Sequence, residues 1–253
     1  GRLLVAYSGG VDSSLLAKVA TEVLRDNALC VILDSETMAR SELTHATELA
    51  ESLGLNYQIA KYSALTNPEF TANPPTRCYI CKKDAAKILK GIASEKGFSV
   101  IADGVNLTDY KDYRPGIIAC DEENIWHPFV DSQISKEEIR EISRRMGLPF
   151  WSKPSSACMA SRMPYGDKVT LEKLKMVEEA EDLLKSMGFA QLRVRAHGDI
   201  ARIEVLKEDM DKALSERDKI VKELKRIGFK YVALDLEGFR SGSMNEALGK
   251  SQK

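Results

Sequence analysis

Along residues 1–150 the apolar positions alternate between two rhythms, unbroken short runs and longer stretches with helical spacing. Residues 3–7 (Leu-Leu-Val-Ala-Tyr) and 29–33 (Leu-Cys-Val-Ile-Leu) are runs of the first kind. A parallel strand buried on both faces needs such a run. Further strands are expected at 57–60 and 99–102. Between them, 11–24, 41–53 and 79–96 read as helices, with Ala85, Ala86, Ile88, Leu89 and Ile92 on or near one face of the last. Gly54 stops the second of these helices. Ser135-Lys136-Glu137-Glu138 has the form of a capping box, and the helix it opens ends near Gly147, with Pro149 beyond it. This alternation predicts an α/β fold, a parallel twisted sheet with helices on both faces. In such sheets ligands gather at the carboxyl ends of the strands, so residues 8–14, Asp34 and Asp103-Gly104 are expected around one cleft.

After Met163-Pro164-Tyr165-Gly166-Asp167 the pattern changes. A charged helix at 171–187, strands at 191–196 and 201–206, a second charged helix at 210–227 and a strand at 231–236 predict a smaller α/β unit. We therefore expect two domains, 1–163 and 164–253, the second serving substrate binding and oligomerisation.

The junction between the first strand and the first helix carries the most specific chemistry. Ser8-Gly9-Gly10-Val11-Asp12-Ser13-Ser14 places a glycine pair where backbone amides can approach a phosphate. The helix behind it points its positive end at the same anion, and Ser8, Ser13 and Ser14 add hydroxyl donors. An ordinary turn with Asp12 or Ser13 as a cap would need only part of this pattern. The segment has the form Ser-Gly-Gly-x-Asp-Ser, the loop of the ATP pyrophosphatases. A Walker A lysine and a Gly-x-Gly-x-x-Gly run are both absent, which argues against P-loop NTPases and Rossmann dehydrogenases.

Cysteine supplies the second constellation. Cys78 and Cys81 form a C-x-x-C pair at the start of a helix, beside Lys82 and Lys83, where dipole and charge favour thiolate. Cys158 lies far away in sequence. By spacing alone the three could ligate zinc, form a redox disulfide or hold three corners of an iron–sulfur cluster. Cys30 and Cys120 sit in apolar surroundings and read as packed hydrophobes.

Composition narrows the partners. The chain has 253 residues, 37 basic against 38 acidic, so no global positive field favours stable nucleic-acid binding, and a small anionic substrate fits better. Five cysteines, an odd count, suggest a reducing cytoplasm. No apolar stretch is long enough to span a bilayer. Gly1 stands directly before a strand, and native sequence ahead of it is expected.

With these residues in view the chain resembles the LarE family, ATP-dependent sulfur transferases that help mature the nickel-pincer cofactor of lactate racemase. Beyond the loop, the resemblance rests on Asn73-Pro74-Pro75-Thr76-Arg77-Cys78, Asp103-Gly104-Val105-Asn106, Asp112-Tyr113-Arg114-Pro115-Gly116 and the segment from Lys153 through Cys158 to Arg162. It continues through Arg193-Val194-Arg195-Ala196-His197-Gly198 and Ala201-Arg202-Ile203-Glu204 to the segment from Asp235 to Ser243. The loop alone would be shared with GMP synthetases, NAD synthetases and tRNA thiolases. A tRNA thiolase is the main alternative, and the charge balance argues against it.

The resemblance implies a two-step reaction on pyridinium-3,5-biscarboxylic acid mononucleotide. ATP adenylates a carboxylate with release of pyrophosphate, and sulfur then displaces AMP to leave a thiocarboxylate. Ser8, Gly9, Gly10, Asp12 and Ser13 would hold the phosphates, with Mg²⁺ offsetting their charge and Asp12 acting in catalysis; Ser14, Asp34, Asp103 and Gly104 would complete the nucleotide site. Arg162, Arg193 and Arg195 read either as solvated charges or as a fork for the substrate phosphate, and the resemblance favours the fork. Some family members are understood to sacrifice the cysteine matching Cys158; others bind a [4Fe-4S] cluster through three cysteines, whose open iron delivers sulfide. This chain has all three, so the cluster on Cys78, Cys81 and Cys158 is expected. The resemblance also implies a homo-oligomer and transient contact with other cofactor-maturation proteins.

Overall fold

The computed structural model describes residues 1–111, 114–240 and 242–247. Asp112, Tyr113 and Ser241 of the motifs above lie outside the described residues. Two compact units are formed, Gly1–Ala64 with Thr76–Ala157, and Leu65–Pro75 with Cys158–Lys253.

In the first unit the chain runs β1 (Leu3–Ala6), α1 (Val11–Leu24), β2 (Ala28–Asp34), α2 (Arg40–Ser52) and β3 (Tyr57–Lys61). After α3 (Pro68–Thr71), which belongs to the second unit, come α4 (Arg77–Lys96), β4 (Val100–Ala102), α5 (Pro115–Glu122), α6 (Pro128–Asp131) and α7 (Lys136–Arg145). The strands lie in the order β3-β2-β1-β4, all parallel. Period-two alternation sends successive side chains to opposite faces. Leu3, Val5, Tyr7, Cys30 and Ile32 join Leu15 and Leu16 of α1, Leu49 of α2 and Ile139 of α7 in one core. Leu4, Leu29 and Val31 join Ala86, Leu89 and Ala93 of α4 and Cys120 of α5 in the other. The expected doubly covered parallel sheet is therefore present, and its strand order places the β1–α1 junction between β2 and β4.

The second unit continues with α8 (Leu171–Ser186), β5 (Leu192–His197), β6 (Ile200–Val205), α9 (Met210–Ser215), α10 (Arg217–Ile227) and β7 (Tyr231–Leu234). Its sheet has the order β5-β6-β7, antiparallel for the first pair and parallel for the second. The helix expected over 210–227 is two helices. Glu216, at φ −93° and ψ 8°, leaves helical geometry, and the Ser215 hydroxyl donates to Lys212 O at 2.8 Å, a local bond that competes with helix continuation. Residues 65–75 join this unit through Asn73, fully buried in a left-handed turn at φ 56°. Its amide donates to Pro164 O at 2.7 Å and Asp167 O at 3.0 Å, while Val169 N donates to Thr71 O at 2.9 Å. Among the described residues no helix is long and apolar enough to cross a membrane.

Candidate functional site

The loop between β1 and α1 is shaped by close backbone approach. Gly9 has φ +69°, and a Cβ there would lie 2.7 Å from Ala46 Cβ and 2.8 Å from Ala46 Cα. A Cβ on Gly104, just past β4, would lie 2.8 Å from Ser13 N and 3.0 Å from Asp12 C. Only glycine fits at either place, because the atoms in the way are held by the backbone. Gly10 precedes α1 in extended conformation and no side chain caps the helix, the arrangement in which first-turn amides can meet an anion. The loop is braced from within. Ser8 N donates to Ser13 Oγ at 3.2 Å, the two hydroxyls lie 3.1 Å apart, and Ser13 Oγ donates to Gly10 O at 3.2 Å. Ser8 is exposed, whereas Ser14 is fully buried beneath the loop.

Two lysines outside the sequence expectation face this loop. Lys136 pairs with Asp12 Oδ2, while Asn106 Nδ2 donates to Asp12 Oδ1 at 3.3 Å. Lys153 Nζ donates to Gly9 O at 3.2 Å and to Glu42 Oε2 at 2.8 Å. Burial works against the Glu42 carboxylate, but its hydrogen bond with Lys153 and that lysine's charge outweigh it and hold the pKa below the usual range. A signal for Lys136 existed in the sequence: a cation at the first position of a helix opposes the macrodipole, so some other partner has to hold it there. Lys153 gave no comparable signal.

Asp34 and Asp103 sit at the carboxyl ends of β2 and β4, as expected, and both carboxylates have protein partners. Asp34 accepts from Arg40 Nη1 at 2.6 Å. Asp103 Oδ1 lies 2.6 Å from His127 Nδ1 and accepts from Val105 N at 3.0 Å; His127 Nε2 is 3.2 Å from Asp121 Oδ1. Burial opposes charge on both members. For Asp103, the His127 hydrogen bond and the charge of Lys82 prevail and lower the pKa; for His127, the Asp103 hydrogen bond and charge prevail and raise it. The His127 contribution to stability is thus complete below its unfolded pKa, about 6.5, and is lost as pH rises through the higher folded value. That of Asp103 is complete above about 3.9 and is lost as pH falls through the lower folded value. Urea midpoints measured against pH should therefore decline above neutrality in the native chain, and His127→Asn should flatten that alkaline decline. An unchanged slope in the variant would contradict this assignment.

Cys78 and Cys81 occupy the first turns of α4 at i and i+3, which puts them on one helical face, the former exposed and the latter half-buried. Tyr62 Oη lies 3.7 Å from Cys81 Sγ. Protein surroundings disfavour the charge of Lys82, but Cys120, Asp103, Cys81 and Cys78 around it outweigh this and hold its pKa above the ordinary value. Cys158 is exposed, immediately ahead of a short 3₁₀ turn, Met159–Arg162, and none of the five cysteines is in a disulfide. Burial raises the Cys30 thiol to about 12 and that of Cys120 to about 11, which fits packed, inert thiols. Among the described residues no three His, Cys, Asp or Glu side chains gather as a metal site.

The three arginines belong to the second unit and differ in how they are held. Arg162 forms a fork on Glu181, at 2.8 and 2.9 Å, with both side chains 3% exposed; it also donates to Cys158 O at 3.2 Å. Arg195 grips Glu204 at 3.0 and 2.8 Å and donates to Ser161 O at 2.8 Å. Arg193, on the same side of β5 as Arg195, donates to Leu192 O at 2.7 Å and stacks 5.1 Å from the Phe239 ring. It makes no ion pair among the described residues. Burial, and then the nearby charge of Arg162, push its pKa down to about 10. Arg193 is thus the member of the trio whose charge a bound anion would stabilise most. Glu181 was legible too: Leu174, Val177, Glu181 and Leu184 form one stripe of α8, and a carboxylate on an apolar stripe points to a buried cation.

Comparison with known proteins bears on both units. The family model for NAD synthase matches residues 2–73. An uncharacterised protein of Synechocystis is 42% identical over 98% of this chain and 94% of its own length. A pyridinium-3,5-bisthiocarboxylic acid mononucleotide synthase of Lactiplantibacillus plantarum is 39% identical over 99% of this chain and 91% of its own. An uncharacterised protein of Methanocaldococcus jannaschii is 32% identical, covering 95% of this chain and 91% of the relative.

Proposed function

The chain belongs to the LarE family of pyridinium-3,5-bisthiocarboxylic acid mononucleotide synthases, and from that membership we propose that it is an ATP-dependent sulfur transferase that converts the carboxylates of pyridinium-3,5-biscarboxylic acid mononucleotide to thiocarboxylates. The observation that carries the reading is the uncapped, glycine-shaped loop ahead of α1 in a chain that aligns with such a synthase along nearly its whole length.

A carboxylate is a poor electrophile until one of its oxygens becomes part of a good leaving group. In the first half-reaction a substrate carboxylate oxygen attacks the α-phosphorus of ATP; the new O–P bond forms as the bond to pyrophosphate breaks. The amides of Gly9, Gly10 and the first turn of α1, with the Ser8 and Ser13 hydroxyls, hold the departing pyrophosphate, and Lys136 and Lys153 offset its charge. Asp12, partly exposed at the loop, fits as the carboxylate that would face Mg²⁺, whose chemistry is to screen the phosphates. In the second half-reaction a sulfur nucleophile adds to the acyl carbon and AMP leaves with the C–O bond's electrons. Arg193 would bind the substrate's own phosphate, with Arg162 and Arg195, each held by its glutamate, fixing the surroundings.

The resemblance implies a [4Fe-4S] cluster on Cys78, Cys81 and Cys158; thiolate is the donor such a cluster takes, while among the described residues the three are not gathered as a metal site. The chemistry it would supply is a nucleophilic sulfide. The catalytic test is substrate-dependent formation of AMP and pyrophosphate from ATP; formation of ADP, or none at all, contradicts the reading. The cofactor test is iron content after anaerobic preparation, with about four irons per chain expected and loss in Cys78→Ala. Active, iron-free protein that gains dehydroalanine at Cys158 would replace the cluster by sacrifice of that cysteine.

A further inference from the structure

Helix α7 reaches two segments of the first unit with residues one turn apart. Lys136, at its first position, pairs with Asp12 of the loop. Arg140 lies four residues on and therefore on the same helical face. Its guanidinium donates to Trp151 O at 2.6 Å and to Lys153 O at 2.7 Å. Lys153 N donates to Phe150 O at 3.0 Å, which fixes the strap 150–153. The Lys153 side chain, 15% exposed, then returns to the loop at Gly9 O and to Glu42. Loop, helix and strap close into a ring of mostly charge-assisted contacts. Beyond Lys153 the chain is exposed and without regular structure through residue 158, so the strap runs directly into Cys158.

Within this ring Lys153 has an unusual pair of partners. One is a backbone carbonyl of a loop whose amides and helix end are arranged for an anion; the other is a carboxylate. An anion seated on that loop gives the same ammonium a further charged partner and strengthens its hold.

We propose that Lys153 is a positioning residue that couples occupancy of the loop by pyrophosphate to the order of the strap leading to Cys158. With pyrophosphate bound the ring tightens and the strap is held; when pyrophosphate departs the strap is released, which places freedom of the sulfur-bearing segment after adenylation. The inference rests on the reading of the loop as a pyrophosphate site.

Amide hydrogen exchange across 150–157 in the full chain, with inorganic pyrophosphate titrated and its binding followed by calorimetry, tests it. Saturating pyrophosphate should slow exchange there about tenfold, the size expected of one charge-assisted hydrogen bond. Lys153→Met should bind pyrophosphate more weakly and, at saturation, show no slowing, and Lys153→Arg should restore most of both. A purely structural lysine would shift free and bound rates alike and leave their ratio intact. Should Lys153→Met fail to fold, Arg140→Gln should lose the same response. Binding without slowing in the native chain, or the native ratio in Lys153→Met or Arg140→Gln, overturns the coupling. Failure of pyrophosphate to bind the native chain overturns the loop reading and the coupling with it.

Discussion

Gly9→Ala should lower kcat/KM for ATP about a hundredfold or more, the loss expected when a reacting group is misplaced by about 1 Å, while the folded state survives. The added methyl would meet Ala46 Cβ at 2.7 Å and Ala46 Cα at 2.8 Å, and neither atom can rotate away. Relief requires the loop to move off α2, which carries the Gly9 and Gly10 amides away from the phosphates they would hold. The left-handed φ of +69° adds a backbone cost of about 1–2 kcal/mol for an L-residue. Gly54→Ala separates the two causes. Gly54 has nearly the same φ, +65°, with nothing within 4 Å of the new methyl. It should therefore lose about 1–2 kcal/mol of stability and keep its turnover. AMP formation at varied ATP, read beside urea unfolding of both variants, makes the comparison. Native turnover in Gly9→Ala would remove the loop from the phosphate site.

Arg162→Ala should be the most destabilising of the arginine substitutions, by about 3–5 kcal/mol, because it leaves Glu181 buried and charged without its fork. Burial resists ionisation of Glu181; the Arg162 hydrogen bonds and charge, with the Val194 amide at 3.1 Å, keep its pKa below the usual range. The double variant Arg162→Met, Glu181→Leu should recover part of the loss, since no orphaned charge remains. Recovery should be incomplete, because Val194 N–H then has no acceptor in the position of Glu181 Oε1. Arg193→Ala should behave differently, with little change in the unfolding midpoint and a rise in KM for the mononucleotide. A cost below about 1 kcal/mol for Arg162→Ala, the size of a surface ion pair, would contradict the role given to this pair.

Much of this architecture is legible in the hydrophobic pattern, and the exceptions share a cause. The runs at 3–7 and 29–33 correspond to β1 and β2, and the glycine pair marks the junction between strand and helix. The break at Glu216 is not marked by glycine or proline, so periodicity carries a single helix straight through it. The partners of the site charges are harder still. Lys136 and Asp12 are 124 residues apart, and Lys153 and Gly9 are 144 apart. Such pairings are fixed by sheet order, which places the start of α7 and the strap beside the loop, and no local pattern encodes them. Asp103 shows the converse. Its position past β4 fits a ligand-facing carboxylate, yet His127, distant in the pattern and unremarkable in it, takes one of its oxygens at 2.6 Å.

One chain activates a carboxylate with ATP and replaces its oxygen by sulfur. Mass spectrometry of the pyridinium mononucleotide after anaerobic incubation with ATP and the purified chain tests this directly. A product is expected in which carboxylate oxygen is exchanged for sulfur, with one AMP per exchange, and Cys158→Ala should lose that product while retaining adenylation. Mononucleotide recovered unchanged while ATP is converted to AMP and pyrophosphate, or sulfur exchange that proceeds without ATP, would contradict it.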